Sequence, residues 1–165
     1  MLKIEGCITA LITPFTKAGN LDQVTLKKLI KRQIELGVHG IVPCGTTGES
    51  PTLSHDEHDK VIEIAVSTSN GRVPVIAGTG SNSTKEAIRL TKAAEKAGAD
   101  ASLQVVPYYN KPTQEGLFNH FRNIAKATKL PIILYNIPGR SSVNLETDTI
   151  VKLEKVCKNI VGIKE

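Results

Sequence analysis

The stretch Leu130-Pro131-Ile132-Ile133-Leu134-Tyr135-Asn136-Ile137-Pro138-Gly139-Arg140 decides the fold class. Its core, Ile132 to Tyr135, has no polar position to turn towards water. A half-exposed strand alternates polar and apolar residues, so an unbroken apolar run predicts a strand buried on both faces, as in parallel sheets. Similar runs centre near Ile8, Ile41, Val75, Leu103 and Ile160. With Ile132 in its place, the successive separations are 33, 34, 28, 29 and 28 residues.

Segments of helical period fill the gaps. Leu26, Leu29, Ile30 and Ile34 form one apolar stripe, stopped by Gly37. Val61, Ile64 and Ala65 form a second, started by Ser54 with Glu57 three residues on, the spacing of a capping box. Ser83 and Glu86 repeat that signal before Ala87, Leu90, Ala94 and Ala97, and Gly98 provides the stop. Leu117, Phe121, Ile124 and Ala125 mark a fourth helix after Thr113, and a fifth, short one is predicted over roughly 146–155. Six strands alternating with five helices is βα repetition. Both an open doubly wound sheet and a (β/α)8 barrel satisfy it. No linker or shift in composition divides the chain, which reads as one unit.

Composition removes several classes. Apolar usage is globular, with 40% hydrophobic residues and 13 glycines in 165, which excludes disorder. No apolar run approaches the roughly 20 residues of a spanning helix, so no membrane role is expected. Glu5 interrupts the apolar start, and no secretory cleavage site follows. The net charge of +5 (21 basic against 16 acidic residues) comes from scattered lysines, and the six aromatics do not interleave with them. That suits a small anionic substrate and argues against nucleic acid. Cys7, Cys44 and Cys157 form no CxxC pair and read as reduced thiols of a cytoplasmic protein, with no metal site supported.

In either architecture, chemistry belongs at the C-terminal ends of the strands. The unusual residues fall there: Gly45-Thr46-Thr47-Gly48-Glu49, Gly78-Thr79-Gly80-Ser81-Asn82, Tyr108-Tyr109-Asn110, Tyr135 to Arg140, and Gly162-Ile163-Lys164-Glu165. All three tyrosines lie on this rim. Taken singly, each has an ordinary reading. The Thr-Thr hydroxyls can satisfy a turn, Arg140 can be a solvated charge, and a strand-end lysine can snorkel to solvent. Gly78-Thr79-Gly80 lacks the third glycine and the lysine of a phosphate loop, and tight backbone geometry explains it better. Lys164 points by alternation either into a barrel or out towards helices. A desolvated lysine there would be a Schiff-base nucleophile, and the phenol of Tyr135 could move its protons.

Together these segments resemble the dihydrodipicolinate synthase family of the pyruvate-dependent class I aldolases and lyases. The resemblance implies a (β/α)8 barrel, no cofactor and no metal. It implies that Lys164 forms an imine with pyruvate, whose enamine attacks aspartate β-semialdehyde in lysine and diaminopimelate biosynthesis. Tyr135 would be the proton donor and acceptor, relayed through Thr46 and Tyr109, the last reaching a neighbouring subunit's site in a homodimer or homotetramer. Thr47 would hold the pyruvate carboxylate and Arg140 that of the semialdehyde. Ser50, His55, His58, Asn82, Glu86 and Tyr108 match positions that bind feedback lysine in sensitive members. N-acetylneuraminate lyase and the sugar-acid aldolases share the lysine and tyrosine, but Thr46 and Arg140 favour the synthase. A catalytically silent partial barrel is the remaining alternative. A full barrel takes about 250 residues. Residues 1–165 are therefore expected to be its N-terminal portion, poorly active alone, with later strands and a C-terminal helical region absent.

Overall fold

The computed structural model describes residues 4–165. Six strands form: β1 (Ile8–Ala10), β2 (Gly40–Val42), β3 (Ile76–Gly78), β4 (Ala101–Val105), β5 (Ile132–Tyr135) and β6 (Ile160–Lys164). Every ladder is parallel. β1 pairs with β2, and β3, β4, β5 and β6 pair in that order. The bridge between Ile41 and Val75, reinforced by Gly78 N donating to Pro43 O at 2.9 Å, joins the two groups. Strand order therefore follows chain order without reversal. A doubly wound sheet reverses at its switch point, whereas a barrel winds always one way, and the second of the two sequence-level architectures is the one observed.

Between the strands lie α1 (Gln23–Glu35), α2 (His55–Ser69), α3 (Thr84–Ala97), α4 (Gln114–Lys126), α5 (Pro138–Ser141) and α6 (Thr147–Val156). The start of α1, which the sequence left unmarked, is capped by Asp22 accepting from Thr25 N at 2.9 Å. The predicted start at Ser54 holds for a local reason, since Ser54 and Glu57 complete a reciprocal capping box. At α3 the second half of that box is missing. Ser83 accepts from Glu86 N, but the Glu86 carboxylate turns away to Ser81 and His55. The sixth helix was not expected: α5 is a single turn of four residues, too short to show a period.

The alternation of side chains sorts each strand between two cores. Ile41, Val75, Ala77, Ile132 and Leu134 face the helices, packing with residues such as Leu26, Ile30, Ile62, Phe121 and Ile124. Val42, Ile76, Ala101, Leu103, Ile133 and Tyr135 form the inner cluster. Because Lys164 stands opposite Tyr135 in the β5–β6 ladder, it shares that inner face, which resolves the choice that sequence left open. Among the described residues no helix is long and apolar enough to cross a membrane.

His120 lies on α4 facing α3, 5% exposed. Its Nδ1 meets Thr84 Oγ1 at 2.8 Å, its Nε2 has no partner, and its ring packs edge-on to Phe121. Burial disfavours the charged form and pushes its pKa from 6.5 down to about 4. The folded state thus binds the proton less well than the unfolded chain. The neutral ring's contribution is complete above pH 6.5 and is lost as pH falls towards 4, by up to about 3 kcal/mol. Burial lowers the pKa of His58 as well, with the same sign. Urea denaturation at pH 7.5 and pH 4.5 should show a loss of stability on acidification that is smaller in His120→Leu. An identical pH dependence in the two proteins would contradict this account of His120.

Candidate active site

At the ends of the strands, backbones press so closely that glycine is required. A Cβ on Gly78 would lie 2.1 Å from Cys44 O, and one on Gly80 would lie 2.3 Å from Val105 N. These glycines let β3 nest between its neighbours, the tight backbone geometry expected of this stretch. Thr79, between them, turns outward into a buried polar cluster. Its hydroxyl meets Thr91 Oγ1 at 3.0 Å and Ser102 Oγ at 2.8 Å, and accepts from Gln104 Nε2 at 2.8 Å.

After β2 the chain makes two 3-10 turns, Thr46–Gly48 and Ser50–Thr52, with Glu49 between them in the left-handed region. Thr13 Oγ1 donates to Gly48 O at 2.7 Å and ties this loop to the end of β1. The loop leaves Thr46 and Thr47 exposed, and Thr46 lines a cleft of about 180 Å³. Cys44, Tyr108, Tyr135, Arg140 and Ser141 also line it. Thr47 sits beside it on the same loop without lining it. Lys164 is exposed, and its Nζ lies 3.8 Å over the centroid of the Tyr135 ring. One face thus brings together a primary amine, a phenol, a hydroxyl and a guanidinium. These groups suit an acid with a carbonyl: the cation and hydroxyl for its carboxylate, the amine for its carbonyl carbon, the phenol for the protons.

Tyr109 is not brought to this cleft. It is 90% exposed and held at φ 73°, a left-handed conformation costly for a side chain of its size. Of the three residues expected to form a relay, one chain brings Thr46 and Tyr135 to the cleft and not Tyr109.

A second cavity, about 60 Å³, shares Ser50, Pro51, Gly80 and Tyr108 with the first and adds His55, His58, Ser81 and Glu86. Asn82 is not in its lining, and its carbonyl accepts from Asn110 Nδ2 at 3.1 Å. The hydrogen bond from Ser81, and then that from His55 Nε2 at 2.7 Å, hold the Glu86 carboxyl below the usual range. Burial, and the nearby Glu86 charge, push the Tyr108 phenol up. His58 is buried and donates its Nε2 proton to Gly78 O at 2.9 Å, so it ties this cavity's wall to a residue lining the cleft. Ser81, Cys44 and Ser141 were not foreseen as lining residues. Ser81 lay inside a stretch read as a tight turn, and the other two carried no signal.

Residues 3–165 match the sequence profile of the Dihydrodipicolinate synthetase family. The chain belongs to that family. A 4-hydroxy-tetrahydrodipicolinate synthase of Syntrophobacter fumaroxidans is 62% identical over 161 residues, 98% of this chain and 55% of that protein. The crystal structure of the chloride-inhibited dihydrodipicolinate synthase of Acinetobacter baumannii complexed with pyruvate is 56% identical. It superposes with a TM-score of 0.95 over 98% of this chain and 55% of its own. The dihydrodipicolinate synthase of Cyanidioschyzon merolae with lysine bound is 48% identical, with a TM-score of 0.93 over 96% of this chain and 54% of its own. The chain thus spans about half the length of the family members it matches. Its fold is the (β/α)8 barrel of this family, and its six strands are the N-terminal part of that barrel.

Proposed function

We propose that this dihydrodipicolinate synthetase family chain carries the imine-forming half of a 4-hydroxy-tetrahydrodipicolinate synthase. The observation that carries the reading is Lys164 Nζ lying over the Tyr135 ring, above a cleft lined by Thr46 and Arg140. The Lys164 amine adds to the keto carbon of pyruvate, and loss of water leaves the imine. Removal of a methyl proton then gives the enamine, whose terminal carbon bonds to the aldehyde carbon of aspartate β-semialdehyde. Tyr135 carries the protons of these steps, with Thr46 and a partner subunit's copy of Tyr109 as its relay. Thr47 and Arg140 take the carboxylates of pyruvate and of the semialdehyde respectively. The pyruvate complex of the Acinetobacter baumannii relative supports the choice of first substrate.

The exposure and left-handed backbone of Tyr109 support a homodimer or homotetramer in which this ring enters a neighbour's site. Val161 and Ile163 are exposed on β6, which supports further strands completing the wall beside Lys164. Three free cysteines accord with a cytoplasmic setting. Borohydride reduction in the presence of pyruvate should leave one covalent adduct, mapped by peptide mass spectrometry to Lys164. Lys164→Arg should abolish it. An adduct that persists in Lys164→Arg, or none in the unsubstituted protein, would remove this reading.

The second cavity is proposed as the site of feedback lysine, as the lysine-bound Cyanidioschyzon merolae relative suggests. Glu86 accepts from the ammonium, and Ser50, His55, His58 and Tyr108 complete the contacts, with Asn82 adjoining the cavity outside its lining. In calorimetric titration with lysine, Glu86→Ala should weaken binding by roughly tenfold or more, the value of one charge-assisted hydrogen bond. Equal affinity in both proteins would contradict this assignment.

A further inference from the structure

Tyr135 and Lys164 are followed by Asn136 and Glu165, and alternation turns this second pair to the opposite side, towards the helix layer. Asn136 is 3% exposed and its amide is fully engaged. Its Oδ1 accepts from Leu145 N at 2.9 Å, and its Nδ2 donates to Asn144 Oδ1 at 2.8 Å. The same Nδ2 reaches the two carboxylate oxygens of Glu165 at 3.4 and 3.3 Å. Its backbone N donates to Lys164 O at 3.0 Å. Asn136 therefore grips the residue after Lys164 with its side chain and Lys164 itself with its backbone.

The grip bears on the register of β6, because the β5–β6 pairing shifts between Ile132 and Ile133 before it reaches Lys164. A slip of one residue would carry Lys164 to the helix side, away from Tyr135 and the cleft. The contact between Asn136 and Glu165 forms only in the register that places Lys164 opposite Tyr135.

We propose that Asn136 and Glu165 are a positioning pair that holds Lys164 on the face of Tyr135. This rests on the reading of Lys164 as the imine-forming residue. Asn136→Asp sets a carboxylate against Glu165, and adding Glu165→Gln restores one donor and one acceptor with their places exchanged. The rate of pyruvate-dependent borohydride trapping on Lys164 should fall roughly tenfold or more in Asn136→Asp, as misplacement of a reacting group would cause. It should recover most of that loss in the double variant. Glu165→Ala, made at an exposed residue, should slow trapping while leaving the melting temperature unchanged. Trapping at the unsubstituted rate in Asn136→Asp or in Glu165→Ala would overturn the proposal, as would a loss in Asn136→Asp that Glu165→Gln does not recover. If the unsubstituted protein forms no adduct at all, the imine reading fails and this inference falls with it.

Discussion

The rim of this molecule depends on one rung of a parallel ladder, in which Tyr135 of β5 stands opposite Lys164 of β6. A parallel strand must be buried on both faces to be stable, so each strand here divides its side chains between an inner cluster and a helix layer. The division makes the rung chemically meaningful. Tyr135 belongs to the inner cluster with Ile133 and Leu103, so its partner is delivered to the same face. Any change of register would cost the site its amine before it cost the fold its core.

Around that rung, the packing of backbones shapes the cleft. Gly78 and Gly80 allow the ends of β2, β3 and β4 to meet at distances that a Cβ would forbid. The space so saved lets the Thr46 loop and the α5 turn with Arg140 converge on Tyr135. It also leaves two cavities with a common wall of Ser50, Pro51, Gly80 and Tyr108. The His58 ring donates to the carbonyl of Gly78 from one cavity while Gly78 lines the other.

Much of this was legible in the sequence. The apolar run from Ile132 to Tyr135 has no polar face, so burial on both sides followed. The Ser54 and Glu57 pair marked a helix start because the capping box is local chemistry. Other features depend on contacts between distant segments. The same Ser-x-x-Glu spacing at Ser83 and Glu86 misled in part, since Ser81 and His55 compete for the carboxylate. The direction of Lys164 needed the register of β5 against β6, which no periodicity encodes. Tyr109 reads as a rim residue like Tyr108, yet its left-handed backbone turns it out to solvent. Nothing local to Asn136 announces its hydrogen bonds, because its partners lie 8 to 29 residues further along the chain.

The most direct test of the central claim is the structure of the protein after exposure to pyruvate. The geometry of Lys164 and Tyr135 predicts continuous density from Lys164 Nζ to the keto carbon of pyruvate. The carboxylate should lie against the loop of Thr46 and Thr47, and the Tyr135 hydroxyl beside the new bond. Pyruvate bound without that bond, or bound away from the Lys164 face, would contradict it.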